Sequence, residues 1–320
     1  MQEAMFNEAS GYYRTQNPIG KDSDFITSPE ISQVFGELIA AYFLQVSSTR
    51  SGKISLVEMG AGRGILFFDI LRVIKKMAEK NNAIALDFLR RTKFHIIEIN
   101  EVLVKIQQKK LSDFEIKWHK KFEDFLSEEG QIFFISNELF DCFPIDQFVN
   151  TDIGWCERMI GQGEFVVRNF DPKIHQFVQN LAGFTAPFGA IFEHSESAHN
   201  FMNQLCEALK IKGGIAINFD YGYEKSEFAN TLQSVKNHQK NNIFENVGNS
   251  DLTAHVDFGA LDKIAKSHGL ASSLVTQSQF LTSLGIEERR KKLPEENSAI
   301  DRLIAPDQMG ELFKSHIIWK

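Results

Sequence analysis

Glu58-Met59-Gly60-Ala61-Gly62-Arg63-Gly64 places an acidic side chain at the head of three alternating glycines. Glycines at that spacing let the backbone approach a ligand closely, and a helix starting after them offers unpaired N–H groups. A dinucleotide and S-adenosylmethionine are both candidates for such a loop. The order Glu-x-Gly-x-Gly-x-Gly departs from the GxGxxG of the pyrophosphate fingerprint. A carboxylate at the head of the loop also attracts an ammonium and repels a pyrophosphate. Charge sign therefore favours the sulfonium cofactor, with a nicotinamide-dependent oxidoreductase as the alternative.

Two further sets of residues fit methyl transfer. Glu98 closes Phe94-His95-Ile96-Ile97, where an acid at the end of the next strand accepts hydrogen bonds from two ribose hydroxyls. It lies 34 residues after Gly64, farther than the usual spacing of about 20, and the polar stretch 79–93 accounts for the excess. Ser136-Asn137-Glu138-Leu139-Phe140-Asp141-Cys142-Phe143-Pro144 then follows an apolar run, and sites in open parallel sheets form at such strand ends. The plain alternative is that Asn137 caps a helix. Methyl transfer from a sulfonium is an in-line displacement, so the protein mainly positions donor and acceptor. A guanidinium acceptor, with a pKa above about 12, needs carboxylates to hold and polarise it, and Glu138 and Asp141 are the natural pair. Asp220-Tyr221-Gly222 and the run Asp251-Leu252-Thr253-Ala254-His255-Val256-Asp257-Phe258 are also polar after apolar segments. Asp251 and Thr253 read equally as turn caps, and His255 reads as a structural histidine sooner than as a base.

The elements that must position these groups alternate. Residues 54–57, 94–97, 132–135 and 214–219 are short apolar strands, while 65–80 and a segment carrying Leu103, Ile106, Gln107 and Leu111 have helical spacing. Continuous apolar strands separated by helices imply a mostly parallel sheet covered on both faces, a Rossmann-like α/β fold. Residues 31–45 carry Val34, Phe35, Leu38, Ile39, Tyr42 and Phe43 at helical spacing, and Ser28-Pro29 before them is a helix start of the N-cap and N1 type. This N-terminal segment, 1–50, reads as a lid, with Thr27, Ser28 and Pro29 at the wall of the cofactor cleft. The core is expected over 51–144 and 211–320. Insertions are expected at 145–210, an antiparallel meander joined by Gly161-Gln162-Gly163, and at 222–257, a polar, Asn-rich loop or subdomain.

The 320 residues are 43% hydrophobic with a formal charge of −7, which suits one elaborated domain and argues against a nucleic-acid binder. Arg289-Arg290-Lys291-Lys292 is answered by Glu295 and Glu296, as on a solvated helix face. No apolar stretch approaches the roughly 20 residues needed to span a bilayer, and the N-terminus lacks a secretory signal. A soluble, intracellular protein is expected. Cys142, Cys156 and Cys206 form no CxxC pair, and the histidines form no HExxH; His194 and His199 are not spaced to share a helical face. No metal site is expected.

Taken together the chain resembles the MidA family of class I methyltransferases, whose mitochondrial members are complex I assembly factors that dimethylate an arginine of a complex I subunit. The likeness is carried by Gly11-Tyr12-Tyr13, Asp24-Phe25-Ile26-Thr27-Ser28-Pro29-Glu30, Phe35-Gly36-Glu37, residues 57–64, Asn137-Glu138-Leu139-Phe140-Asp141, Glu157-Arg158, Asp220-Tyr221-Gly222, Thr231-Leu232-Gln233, residues 251–258 and Pro306-Asp307-Gln308-Met309-Gly310. Ser23 departs from the glycine of the family pattern. The resemblance implies that Gly60, Gly62, Gly64 and Glu98 contact S-adenosylmethionine and that Asn137, Glu138 and Asp141 lie at its methyl end. It also implies a protein acceptor in respiratory complex I or its bacterial counterpart. A bacterial cytoplasmic location is preferred, or the mitochondrial matrix in a eukaryote. Rival readings are a cofactor-binding assembly protein without catalysis and a methyltransferase of small molecules.

Overall fold

A computed structural model describes residues 1–15, 27–182, 185–236 and 239–320, with the side chain of Thr15 also left out. The strands in chain order are β1 (Ile54–Met59), β2 (Thr92–Ile97), β3 (Ile116–His119), β4 (Gln131–Asn137), β5 (Asp146–Thr151), β6 (Gly154–Gly161), β7 (Glu164–Val167) and β8 (Ile191–His194). They continue as β9 (Gly214–Tyr223), β10 (Gln233–Lys236), β11 (Gln239–Asn241), β12 (Asp251–Thr253), β13 (Val256–Asp257), β14 (Ala271–Thr276) and β15 (Phe313–Trp319).

The central sheet has the order β14-β15-β9-β4-β1-β2-β3, with β13 beside the end of β9. Its five central and distal strands are parallel, and β15 runs antiparallel to both β9 and β14. This is the Rossmann-like class I arrangement. Side chains alternate across the sheet as strand geometry requires. Ile54, Leu56, Phe133, Ile135, Ile215 and Ile217 face one layer, while Val57, Ile132, Phe134 and Ala216 face the other. Helices Gln33–Ser48 and Ile65–Glu79 cover the first face, and helices Glu196–Lys212 and Phe258–Ser267 cover the second. Phenylalanine does much of the filling: Phe35 meets Phe219 at 5.0 Å between ring centroids, and Phe122 meets Phe201 at 5.3 Å. Each buried ring contributes about 1.5–3 kcal/mol by leaving water.

Register places the polar strand ends together. Met59 sits opposite Ile97 and Ser136, and Asn137 opposite Phe219, so Glu58, Glu98, Glu138 and Asp220 reach one edge of the sheet. Around this core the structure departs from the sequence reading at several places. The polar stretch 79–93 contains helix Ala83–Arg91, whose length supplies the wide spacing between Gly64 and Glu98. The meander gains a fourth strand, giving β7-β6-β5-β8, with Phe148, Trp155, Val178 and Phe192 packed between it and helix Pro172–Ala182. Helix Glu196–Lys212 packs on β4 and β9 and so belongs to the core layer, although the sequence reading put most of it in the insertion. Within 222–257, β10, β11 and β12 form a small sheet. Leu252 of β12 packs with Met5 and Tyr12, which fastens the N-terminal helices Gln2–Phe6 and Tyr12–Thr15 to that sheet.

The predicted helix over 31–45 is preceded by a break. Helix Ser28–Ile31 has Thr27 at its N-cap, and Ser32 caps the longer helix by accepting from the Val34 N–H. Asp24, Phe25 and Ile26 lie outside the described residues. Among the described residues no helix is long and apolar enough to cross a membrane.

Candidate cofactor and acceptor site

The glycine loop has the backbone that only glycine adopts cheaply. Gly60, Gly62 and Gly64 have φ of +71°, +52° and +75°, in the left-handed region that strains other residues. The Gly60 N–H donates to the Ile97 carbonyl at 3.1 Å, which joins the end of β1 to the residue before Glu98. Gly64 caps helix Ile65–Glu79 and packs against Gln107, and it lines neither cavity described below. Gln107 donates to the Gly62 carbonyl at 2.8 Å and to Glu98 Oε2 at 3.2 Å, so one amide fixes both loop and acid. The Asn100 N–H donates to Glu98 Oε1 at 2.9 Å.

The acids at the strand ends are out of water. Burial pushes Glu58 up to about 8, against a backbone hydrogen bond from Phe67 in the first turn of the following helix. Burial likewise takes Glu98 up to about 7. Glu138 accepts from Asn137 Nδ2 at 2.9 Å and from the Ser28 N–H at 3.4 Å; burial first, and then the charge of Asp141, pushes it up to about 8. Asp141 is raised by burial although Tyr221 Oη donates to its Oδ2 at 2.6 Å. Asp220, fully buried behind them, accepts from the Phe140 and Asp141 N–H groups at 2.8 and 3.1 Å and thereby shapes the turn that carries Asp141.

These groups surround a cavity of about 130 Å³ whose lining includes Gly60, Gly62, Glu98, Glu138, Asp141 and Asp251. Among the described residues four carboxylates line it, and no lysine, arginine or histidine does. A recess of about 30 Å³ shares Thr27, Gly60 and Gly62 with it and adds Pro29, Glu58 and Asn137. Glu58 Oε2, Asn137 Oδ1 and Asp141 Oδ1 are buried without a hydrogen-bond partner among the described residues. Such atoms cost about 1–3 kcal/mol each, and they call for donors from outside the chain. S-adenosylmethionine fits this set: its ammonium can donate to Glu58 and Asn137, its ribose hydroxyls to Glu98, and the glycine cradle admits its close approach.

The structure therefore brings Glu58, Gly60, Gly62, Glu98, Asn137, Glu138 and Asp141 to one cleft, with Thr27 and Pro29 at its wall. Ser28 holds Glu138 through its backbone, while its hydroxyl donates to Gln277 Oε1 at 3.2 Å. His255 lines a separate cavity of about 250 Å³ and meets Tyr221 edge to face at 5.6 Å. Sequence reasoning gave no site role to Tyr13 and Gln107, and it singled out Tyr221 and Asp251 only within polar runs after apolar segments, with turn capping an equal reading for Asp251. Gln107 did leave a signal, an amide on the apolar face of a helix. His95, His119 and Glu128 are the group among the described residues that could hold a metal ion. The two rings bond each other at 3.1 Å through His95 Nδ1 and His119 Nε2, and Glu128 pairs with Lys117, while His95 Nε2 is buried without a hydrogen-bond partner among the described residues.

Comparison with known proteins agrees with this geometry. Residues 36–276 match the model of a family of S-adenosyl-L-methionine-dependent methyltransferases. The chain is 30% identical to the mitochondrial protein arginine methyltransferase NDUFAF7 of Mus musculus, over 98% of this chain and 78% of that one. It is 29% identical to the Homo sapiens protein of the same name, over 98% and 77%. A Burkholderia thailandensis protein crystallised with S-adenosyl-homocysteine has the same fold, with a TM-score of 0.84 and 24% identity, covering 100% of this chain and 86% of that one. A cleft built to receive a sulfonium cofactor and a family match across most of the core lead to one conclusion: the chain belongs to the S-adenosyl-L-methionine-dependent methyltransferase family.

Proposed function

We propose that this methyltransferase modifies a guanidinium nitrogen of an arginine in a protein, with Glu138 and Asp141 holding the cation. The observation that carries this reading is the acid-lined cavity at the end of β4, where no basic side chain among the described residues answers the carboxylates. When bound, S-adenosylmethionine supplies a methyl group on a sulfonium. Glu98 and the glycine loop hold the nucleoside part, and Glu58 and Asn137 hold the amino-acid part. Glu138 and Asp141 then orient the guanidinium and concentrate its charge away from the reacting nitrogen. With its proton affinity raised by burial, Glu138 is suited to take the proton that this nitrogen loses.

The relatives named protein arginine methyltransferases support a protein acceptor. So does apolar surface on the inserted sheet and its neighbouring loop: Ile153 and Ile160 are each 60% exposed and Phe188 79%. The family resemblance extends the acceptor to a subunit of respiratory complex I or its bacterial counterpart. Incubation with tritiated cofactor and lysate should label protein arginine, and Glu138→Gln should abolish labelling while S-adenosylhomocysteine still binds. Label confined to small molecules would exclude a protein acceptor. An inactive Glu138→Gln variant that still restored respiratory assembly in a deletion strain would favour the non-catalytic reading.

A further inference from the structure

Asp141 lines the acid-rich cavity and is held at both ends of its main chain and at one carboxylate oxygen. Its N–H donates to Asp220 Oδ2 at 3.1 Å, its carbonyl accepts from the Ala254 N–H at 3.0 Å, and its Oδ2 accepts from Tyr221 Oη at 2.6 Å. The first two contacts fix the backbone, so the tyrosine sets the rotation of the carboxylate. Its other oxygen, Oδ1, is buried without a hydrogen-bond partner among the described residues.

Tyr221 is itself fixed. It stands opposite Phe313 across β9 and β15, and its ring packs on Phe313 at 5.4 Å and edge to face on His255 at 5.6 Å. An ionised carboxylate only accepts, so the phenol donates to Asp141. The Thr253 hydroxyl, on β12, faces the same phenol oxygen as a donor. Gln233 Nε2, on β10, donates in turn to Thr253 Oγ1 at 3.3 Å. A file of donors therefore runs from the small sheet of segment 222–257 through Tyr221 to Asp141, and bonds aligned in this way polarise one another.

The surroundings of Asp141 make that donation matter. Glu138, Asp220, Cys142, Tyr13 and Asp251 are set around it, and all are acids. Their charges and the burial of the site both oppose ionisation of Asp141. The Tyr221 hydroxyl favours it, helped by the Cys142 N–H. A charge-assisted bond to a guanidinium is roughly twice as strong as a neutral one, and it is directional. We infer that Tyr221 is a positioning residue for methyl transfer: its hydroxyl turns the Asp141 carboxylate so that Oδ1 is the oxygen offered to the acceptor guanidinium. Through Thr253 and Gln233 the 222–257 segment then acts on the acceptor without touching it. The inference rests on the cationic-acceptor reading given above.

The test is the pH profile of methylation of lysate protein with tritiated cofactor, read alongside calorimetry with S-adenosylhomocysteine. Tyr221→Phe removes the hydroxyl and keeps the ring. Its apparent kcat/KM for lysate protein should fall at least tenfold at pH 6.5. Its S-adenosylhomocysteine affinity should stay within twofold of the parent, which also shows that the variant is folded. Without the phenol donor the acid cluster holds its proton to higher pH, so the acidic limb of the profile should move up by about one pH unit. The defect should accordingly shrink to threefold or less by pH 9, the remainder being lost orientation. Thr253→Val should shift the limb in the same direction by a smaller amount. An unchanged kcat/KM in Tyr221→Phe overturns the inference, as does an equal loss at every pH or a parallel loss of S-adenosylhomocysteine affinity. Label placed by the parent protein on an uncharged acceptor rejects the cationic reading and the inference with it. Label on arginine, with Tyr221→Phe behaving as the parent, rejects the inference alone.

Discussion

Glu138 is placed where few residues of its kind are found. Its φ is +52°, a left-handed conformation that costs a side-chain-bearing residue about 1–2 kcal/mol, and its N–H is tied to the Phe219 carbonyl at 2.8 Å. Its carboxyl is also crowded. In an unfolded chain this acid ionises near 4.5, whereas in the fold it keeps its proton up to about 8. Between those values the folded state binds more protons than the unfolded one, so stability falls as pH rises. Glu138→Gln keeps the shape and removes the charge. The same substitution that stops methyl transfer should therefore raise the melting temperature at pH 8.5 by roughly 2–4 °C, corresponding to about 1 kcal/mol. That gain should vanish near pH 4.5. Thermal unfolding of the apo-protein at both pH values decides the matter, and a variant less stable than its parent at pH 8.5 would show that the site stores no strain of this kind.

At the scale of elements, the strand–loop–helix unit that holds the cofactor is the part of the fold most legible in the sequence. Buried parallel strands appear as unbroken apolar runs, and the positive φ values of the loop demand glycine. A Cβ at Gly60 would stand 3.1 Å from Leu139 Cδ1 as well as in the left-handed region. Gly60→Ala should thus lower S-adenosylhomocysteine affinity at least tenfold by calorimetry while costing about 1–2 kcal/mol of stability; affinity within twofold of the parent would mean that the loop does not set the approach of the cofactor. Asn137, Glu138 and Asp141 were legible for a related reason, since polar residues directly after an apolar strand have no packing role to explain them. β14 and β15 were not legible. Lys314, Ser315 and His316 are buried in β15 and break its apolar pattern, and the nearest acid to His316, Asp262 at 3.4 Å, is remote in sequence. The pairing of Tyr13 with Asp251 was hidden in the same way, because it spans 238 positions and each residue has an ordinary local reading. Long-range polar partners carry no period along the chain.

For the molecule as a whole, the acid-lined cleft makes cofactor binding a proton-coupled event. Burial holds Glu58 and Glu138 up to about 8 and Glu98 up to about 7, so at neutral pH each is partly protonated. A bound sulfonium and ammonium favour ionised Glu58 and Glu138, and ribose hydroxyls donating to Glu98 favour its ionised form as well. Each contact lowers a raised proton affinity, so binding expels protons and affinity must climb with pH while these groups titrate. S-adenosylmethionine should therefore bind more tightly at pH 8.5 than at pH 6, by up to about tenfold per pH unit for each proton released. S-adenosylhomocysteine lacks the sulfonium charge and should show a shallower slope, retaining the part due to Glu98 and the ammonium. Calorimetry at pH 7 in two buffers of different ionisation enthalpy measures the released protons directly. The expected result is net release for both ligands, larger for S-adenosylmethionine. Proton uptake, or affinity that falls as pH rises, would mean that the acids of this cleft meet the cofactor in their neutral form and that the charge-sign argument for the Glu58 loop is wrong.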